Sequence, residues 1–299
     1  MNSKFKLAII SLTSCAGCEN AILNASPEIL DFLGKDIEIV YAPIIMDSPP
    51  PSSVDIVIVT GAVRTEEDVK KLVEWRDKSK IFVSFGSCSC FGGIPGLANF
   101  FSSDTLLKYS YLKQLGTINV NNSPPSNGIP NLTDYIKPLR DYVKVDLYVP
   151  GCPPPNTLVV NLFKSIISGE KFTLSKKSVC DECPLNTGKE KVISKMRRWA
   201  FSKVDKDKCF LEQGFICLGP ATRGGCGARC IKAGYPCRGC MGPAENCEDQ
   251  AAKMISAISS ATSIEEVSTE DLTKLLDLAG TFYRFTLPFS IFKRKIRRG

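Results

Sequence analysis

The sequence predicts an α/β protein: a doubly wound parallel sheet over residues 1–170, then an irregular, cysteine-rich domain over residues 171–299. Three observations carry this expectation. Short apolar runs alternate with helical stretches up to about residue 168. Residues 55–61 (DIVIVTG) hold a continuous apolar run, as strands buried on both faces do. Nine of the fourteen cysteines lie between Cys180 and Cys247.

Residues 6–12 are the first strand candidate. Residues 19–32 carry Ile22, Leu23, Ile29, Leu30 and Phe32, with Pro27 dividing that helix or setting its start. The β-branched run 37–45, bounded by Gly34 and Pro49-Pro50-Pro51, reads as the second strand and 55–61 as the third. Thr65 is a helix N-cap, with Glu66, Glu67 and Asp68 in the first turn of a helix through Trp75. Residues 81–85 and 146–149 are further strands, and 156–167 the helix after the last.

The stretch 92–130, with Asn121, Asn122, Pro124, Pro125 and Asn127, breaks this rhythm and reads as a long surface excursion. Composition shifts again at 169–179. Beyond it periodicity is weak and glycines are many, so this domain is expected to rely on inorganic cofactors in place of a sizeable apolar core. No internal repeat is present.

With 299 residues, 43% hydrophobic and 23% charged, the composition is that of a globular protein, and no apolar run approaches the roughly 18 residues of a membrane span. There is no histidine, which excludes Ser-His and Cys-His nucleophile pairs and every histidine-bearing metal site. A disulfide framework is the mark of small secreted chains that lack a core. Lys4 and Lys6 before the apolar run 7–12 and Leu12-Thr13-Ser14-Cys15 are faintly like a lipoprotein cleavage site, but the run is shorter than the roughly 7 to 15 residues of a signal core. A reducing cytoplasm is the expected location.

The net charge of +7 is spread along the chain, apart from the tail Lys293, Arg294, Lys295, Arg297 and Arg298, so nucleic acid is not an expected partner. Three 4Fe-4S clusters, each formally 2− with its thiolates, would bring that +7 down to about +1.

The chemistry lies in the cysteines. Cys15 and Cys18 follow the first strand, Cys88 and Cys90 the strand ending at Phe85, and Cys152 the strand ending at Val149. Ligands of open α/β sheets gather at the carboxyl ends of the strands, so these loops converge and four thiolates can be collected from Cys15, Cys18, Cys88 and Cys152. Glycine and proline accompany each of them, as fits a bulky inorganic core set against the backbone. Cys90 is read as a spare, buried thiol. In the second domain Cys180 and Cys183, Cys209 and Cys217, Cys226 and Cys230, and Cys237 and Cys240 supply two tetrathiolate sites, with Cys247 left over. Spacing alone leaves structural zinc open beside iron-sulfur clusters.

The order of motifs resembles the small, electron-transferring subunit of nickel-iron hydrogenases over nearly the whole chain. The pieces are LTSCAGCE at 12–19, GSCSCFGGIPGLAN at 86–99, VPGCPPP at 149–155, VCDECP at 179–184 and CLGPATRGGCGARCIKAGYPCRGCMGP at 217–243. The flavour is that of the cytoplasmic group with the methyl-viologen-reducing, deazaflavin-non-reducing hydrogenases of methanogens and the sulfhydrogenases. The resemblance implies a flavodoxin-like first domain and an iron-sulfur second domain. It implies a proximal 4Fe-4S cluster on Cys15, Cys18, Cys88 and Cys152, a medial one on Cys226, Cys230, Cys237 and Cys240, and a distal one on Cys180, Cys183, Cys209 and Cys217. Cys180 stands where membrane-associated and periplasmic relatives have a histidine, and Cys230 adds a fourth medial ligand that they lack.

The resemblance further implies a separate large subunit that holds nickel and splits hydrogen. Electrons would leave towards a flavin, ferredoxin or heterodisulfide-reductase-type partner. Glu19 is read either as a proton relay or as a helix N-terminal acid favoured by the helix dipole. Arg223, Arg229 and Arg238 are read as solvated residues or as an offset to cluster charge. Tyr283, Phe285, Phe289, Phe292 and the basic tail are read as a partner-docking surface rather than a lipid anchor.

Four rival readings remain. A cluster subunit of a deazaflavin-reducing hydrogenase would carry extra CxxCxxC repeats, and none is present. A relative of the respiratory NADH dehydrogenase would keep only the proximal site. A zinc-stabilised scaffold or a free-standing multi-cluster ferredoxin would need no nickel-bearing companion.

Overall fold

The computed structural model describes residues 4–188, 191–262 and 277–292. Five parallel strands, β1 (Phe5–Ser11), β2 (Ile37–Tyr41), β3 (Val54–Thr60), β4 (Ser79–Phe85) and β5 (Leu147–Val149), form one sheet in the order β2-β1-β3-β4-β5. This is the flavodoxin-like doubly wound order, which reverses direction beside β1 and opens a crevice at the strands' carboxyl ends.

The pleat sorts the apolar runs onto two faces. Leu7, Ile9, Ile56 and Ile58 enter one core with α1 (Gly17–Leu23), α2 (Pro27–Lys35) and α6 (Asn156–Ser168), while Ala8, Ile10, Val57 and Val59 enter the other with α3 (Glu66–Asp77). The period of two explains how one uninterrupted run serves both faces. Pro27 starts α2, with Ser26 as its cap. The Thr65 hydroxyl accepts from the Asp68 amide at 3.1 Å and the Asp68 carboxylate accepts from the Thr65 amide at 2.9 Å, closing the capping box that opens α3.

The excursion after β4 is more ordered than its composition suggests. A short helix α4 (Ser87–Phe91), a 3₁₀ turn (Ile94–Phe100) and α5 (Ser103–Lys108) occupy its first part. Asn99 anchors it: its side chain donates to the Ile136 carbonyl and accepts from the Ile136 amide, both at 2.9 Å.

The second half differs from expectation. Val179, Ile193, Phe210, Phe215, Ile231 and Met254 belong to a separate apolar core, closed in part by α8 (Gln250–Ala261), which follows α7 (Arg229–Lys232). Asp249 caps α8 by accepting from the Ala251 and Ala252 amides at 2.9 Å. Tyr283 and Phe285 are buried, so they do not form a docking surface; Phe292 is exposed, and the basic tail lies outside the described residues.

Candidate metal centres

The loops after β1, β4 and β5 bring together the first cysteines. Cys15 precedes α1 and Cys18 lies within it, Cys88 lies in α4, and Cys152 follows β5. Gly86 and Ser87 donate to the Val149 and Gly151 carbonyls at 2.8 Å, which stitches the Cys88 loop to the Cys152 loop. Two glycines sit where only hydrogen fits. A Cβ on Gly86 would collide with the Cys18 sulfur, and one on Gly93 would stand 2.6 Å from the Cys88 sulfur; both have positive φ, +91° and +57°. The glycines therefore fit the thiols themselves, a closer packing than a cluster body alone would ask.

Burial pushes the Cys18 thiol far above its ordinary range, and the charges that Cys88, Glu19, Cys152 and Cys15 can carry raise it further. Cys88 is pushed up to about 12 by burial and then by Cys152 and Cys15. Cys90 shares neither the position nor the neighbours. It is fully buried, its sulfur donates to the Ser84 carbonyl at 3.3 Å, and burial raises it to about 11.

The second-half cysteines fall into two further sets. Cys180 sits in the 3₁₀ turn Val179–Glu182 and is raised to about 12 by burial, then by Cys217, Cys183 and Cys209. Cys240 is raised to about 12 by burial; the Cys152 amide, hydrogen-bonded to it, opposes the shift, while Cys230, Cys226 and Cys152 add to it. Cys226, Cys230, Cys237 and Cys240, together with Cys152, line a cavity of about 500 Å³.

The three sets touch in series. The Cys152 amide meets the Cys240 sulfur, and the Cys237 amide donates to the Cys217 sulfur at 3.3 Å. Ser87 donates from its hydroxyl to the Cys240 carbonyl, tying the Cys88 loop to the Cys240 loop as well. The set of Cys226, Cys230, Cys237 and Cys240 thus stands between the other two. Cys247 is half-buried and outside all three.

This donor set fits iron-sulfur clusters. Each set gathers thiols, most of them buried or half-buried, whose ionised forms repel one another, an arrangement that a cationic core relieves. Among the described residues no three Cys, Asp or Glu side chains close to the spacing of a lone metal ion.

Sequence reasoning missed two participants. Glu182, between Cys180 and Cys183, accepts from the amides of Gly225 and Gly227 on either side of Cys226, the latter at 2.9 Å. Ser87 is the second. Neither carries a local signal, because both act on loops distant in sequence. Glu19 is buried: Ser11 and Thr60 donate to its Oε1, and its Oε2 finds no partner. Arg223 is spent on the Ser175 carbonyl at 2.8 Å, Arg229 is exposed, and Arg238 is half-buried beside the thiols.

Comparison with known proteins agrees with this geometry. The model of the NADH ubiquinone oxidoreductase 20 kDa subunit family matches residues 15–166, which take in β2 to β5 and the first cysteine set but begin after β1 and stop before Cys180. The chain is 38% identical to a subunit of the F420-non-reducing hydrogenase vhu of Methanocaldococcus jannaschii, over 98% of each chain. It is 35% identical to a subunit of the F420-non-reducing hydrogenase of Methanothermobacter marburgensis, over 100% of this chain and 99% of that one. A chain in the crystal structure of an NAD+-reducing [NiFe]-hydrogenase in its H2-reduced state is 25% identical, with a TM-score of 0.54 over 57% of this chain and 95% of that one. No helix among the described residues is long and apolar enough to cross a membrane. The chain belongs to the small-subunit family of nickel-iron hydrogenases, together with these F420-non-reducing relatives, and is a subunit of a hydrogenase complex.

Proposed function

We propose that this chain is the electron-transfer subunit of a cytoplasmic nickel-iron hydrogenase. It would hold three 4Fe-4S clusters: proximal on Cys15, Cys18, Cys88 and Cys152, medial on Cys226, Cys230, Cys237 and Cys240, distal on Cys180, Cys183, Cys209 and Cys217. Bound there, the clusters would supply one-electron chemistry, relaying electrons from H2 oxidation at a separate nickel-bearing large subunit to a flavin, ferredoxin or heterodisulfide-reductase-type partner. The observation that carries this reading is the serial contact of the three cysteine sets through Cys152 with Cys240 and Cys237 with Cys217. The domain division at residue 170 belongs to the same proposal, one domain per side of the junction between the first set and the other two.

The chain's own residues set the conditions. The amides of Gly219 and Cys237 oppose the upward shift of Cys217, to about 11, that burial causes, and so favour its thiolate. Cys15 and Cys152 are exposed and mark the face on which a large subunit would dock. Glu19, held at Oε1, leaves Oε2 as the atom that would exchange a proton with that subunit. Purification from the native source under anaerobic conditions tests the proposal. A companion containing nickel should co-purify, with about twelve iron and twelve sulfide in this chain. A colourless chain with zinc and no iron would instead support the scaffold reading.

A further inference from the structure

A second cavity, of about 310 Å³, is lined by Arg197, Arg238, Arg284, Trp199 and Thr281. That volume is at the small end of ligand pockets, which run from about 300 to 1,000 Å³. Its lining is strongly cationic. Among the described residues the one carboxylate is Asp277, and Asp277 Oδ1 is already taken by the Gly280 amide at 2.8 Å. Arg197, Arg238 and Arg284 form no ion pair within the described residues.

Two donors in the lining lack acceptors. Arg284 Nε and Trp199 Nε1 are withdrawn from solvent and make no hydrogen bond among the described residues. A buried donor left unpaired is costly, and a ligand that accepts from it recovers that cost. Arginines that served only to balance the cysteine sets would need neither an open cavity nor the indole N–H.

We infer that this cavity is a binding site for an oxyanion of the phosphate class, received by the Arg284 and Arg238 guanidinia and the Trp199 indole. Guanidinium forks match tetrahedral oxyanions in pairs of hydrogen bonds, and an uncharged indole N–H adds a donor without adding repulsion. Position gives the site a second meaning. Arg238 lies between Cys237 and Cys240, and Ile216 of the same lining precedes Cys217, so an anion here stands beside both second-half cysteine sets.

The test is calorimetric titration of the anaerobically purified full chain with inorganic phosphate and with pyrophosphate at constant ionic strength. Saturable binding of at least one probe is expected. Arg284→Gln should weaken it about tenfold, the loss of one charge-assisted pair. Trp199→Phe should weaken it by a smaller factor, with circular dichroism unchanged. Lys80→Gln, paired with Asp55 elsewhere on the sheet, should have no effect. Absence of saturable binding in the wild type, or affinity that neither Arg284→Gln nor Trp199→Phe reduces, would overturn the assignment.

Discussion

Glu182 Oε2 accepts a hydrogen bond from the Gly227 amide at 2.9 Å, so a side chain within the Cys180–Cys183 turn holds the loop that carries Cys226. The same carboxylate takes the Gly225 amide, so two hydrogen bonds tie the two loops together. Removing it leaves two part-buried amides without an acceptor, at roughly 1–3 kcal/mol each. Glu182→Ala should therefore lower the iron content of the purified chain and its thermal midpoint, while Glu182→Gln, which keeps one acceptor oxygen, should be milder. Equal iron in wild type and Glu182→Ala would contradict this role.

Cys152 and Cys90 separate ligand from bystander. Cys152→Ser removes a thiolate from the first set, at the point where that set meets Cys240. Dye reduction by hydrogen should fall at least a hundredfold, on the order of a transition-state-only loss of 2.7 kcal/mol or more. Cys90→Ser, at a sulfur occupied by Ser84, should leave the rate within about twofold. Comparable losses in both variants would show that the ligand set is misassigned.

The role proposed for Glu19 concerns protons and not clusters. Glu19→Gln keeps an oxygen for Ser11 and Thr60 but cannot carry a titratable proton at the second position. Hydrogen-driven dye reduction should drop about tenfold or more with iron content unchanged. An unaltered rate would make Glu19 a buried structural acid.

Metal-free chain should be sensitive to alkali. Cys88, Cys180 and Cys240 are raised by burial from 9.0 to about 12, so between those values the unfolded chain has lost protons that the folded chain retains. Stability is then complete below about pH 9 and falls as pH rises towards 12. Urea unfolding under reducing conditions should show a lower midpoint at pH 10 than at pH 7.5, and cluster binding, which expels the protons, should remove the difference. Equal midpoints for the metal-free chain at both pH values would contradict the burial of these thiols.

Much of this was legible in residue order. Unbroken apolar runs announce β1 and β3, Pro27 and Thr65 announce where α2 and α3 begin, and strand-end placement announces the meeting of Cys15, Cys18, Cys88 and Cys152. These are local signals, each spanning a few residues. What stayed hidden depends on distant partners. The core around Phe210, Phe215 and Met254 gathers short apolar pieces from loops with no shared period, and α8, rich in alanine and serine, offers a weak stripe. The burial of Tyr283 and Phe285 likewise follows from chain return: the Phe285 carbonyl accepts from the Gly93 amide at 3.2 Å, a pairing no local pattern encodes.

The central claim is that three cubane centres stand in series on twelve of these sulfurs. Mössbauer spectroscopy of the iron-57-labelled complex, recorded with electron paramagnetic resonance as hydrogen is admitted anaerobically, tests it most directly. Three 4Fe-4S centres that become reduced under hydrogen are the predicted result; fewer than three, or centres that hydrogen leaves oxidised, would contradict it.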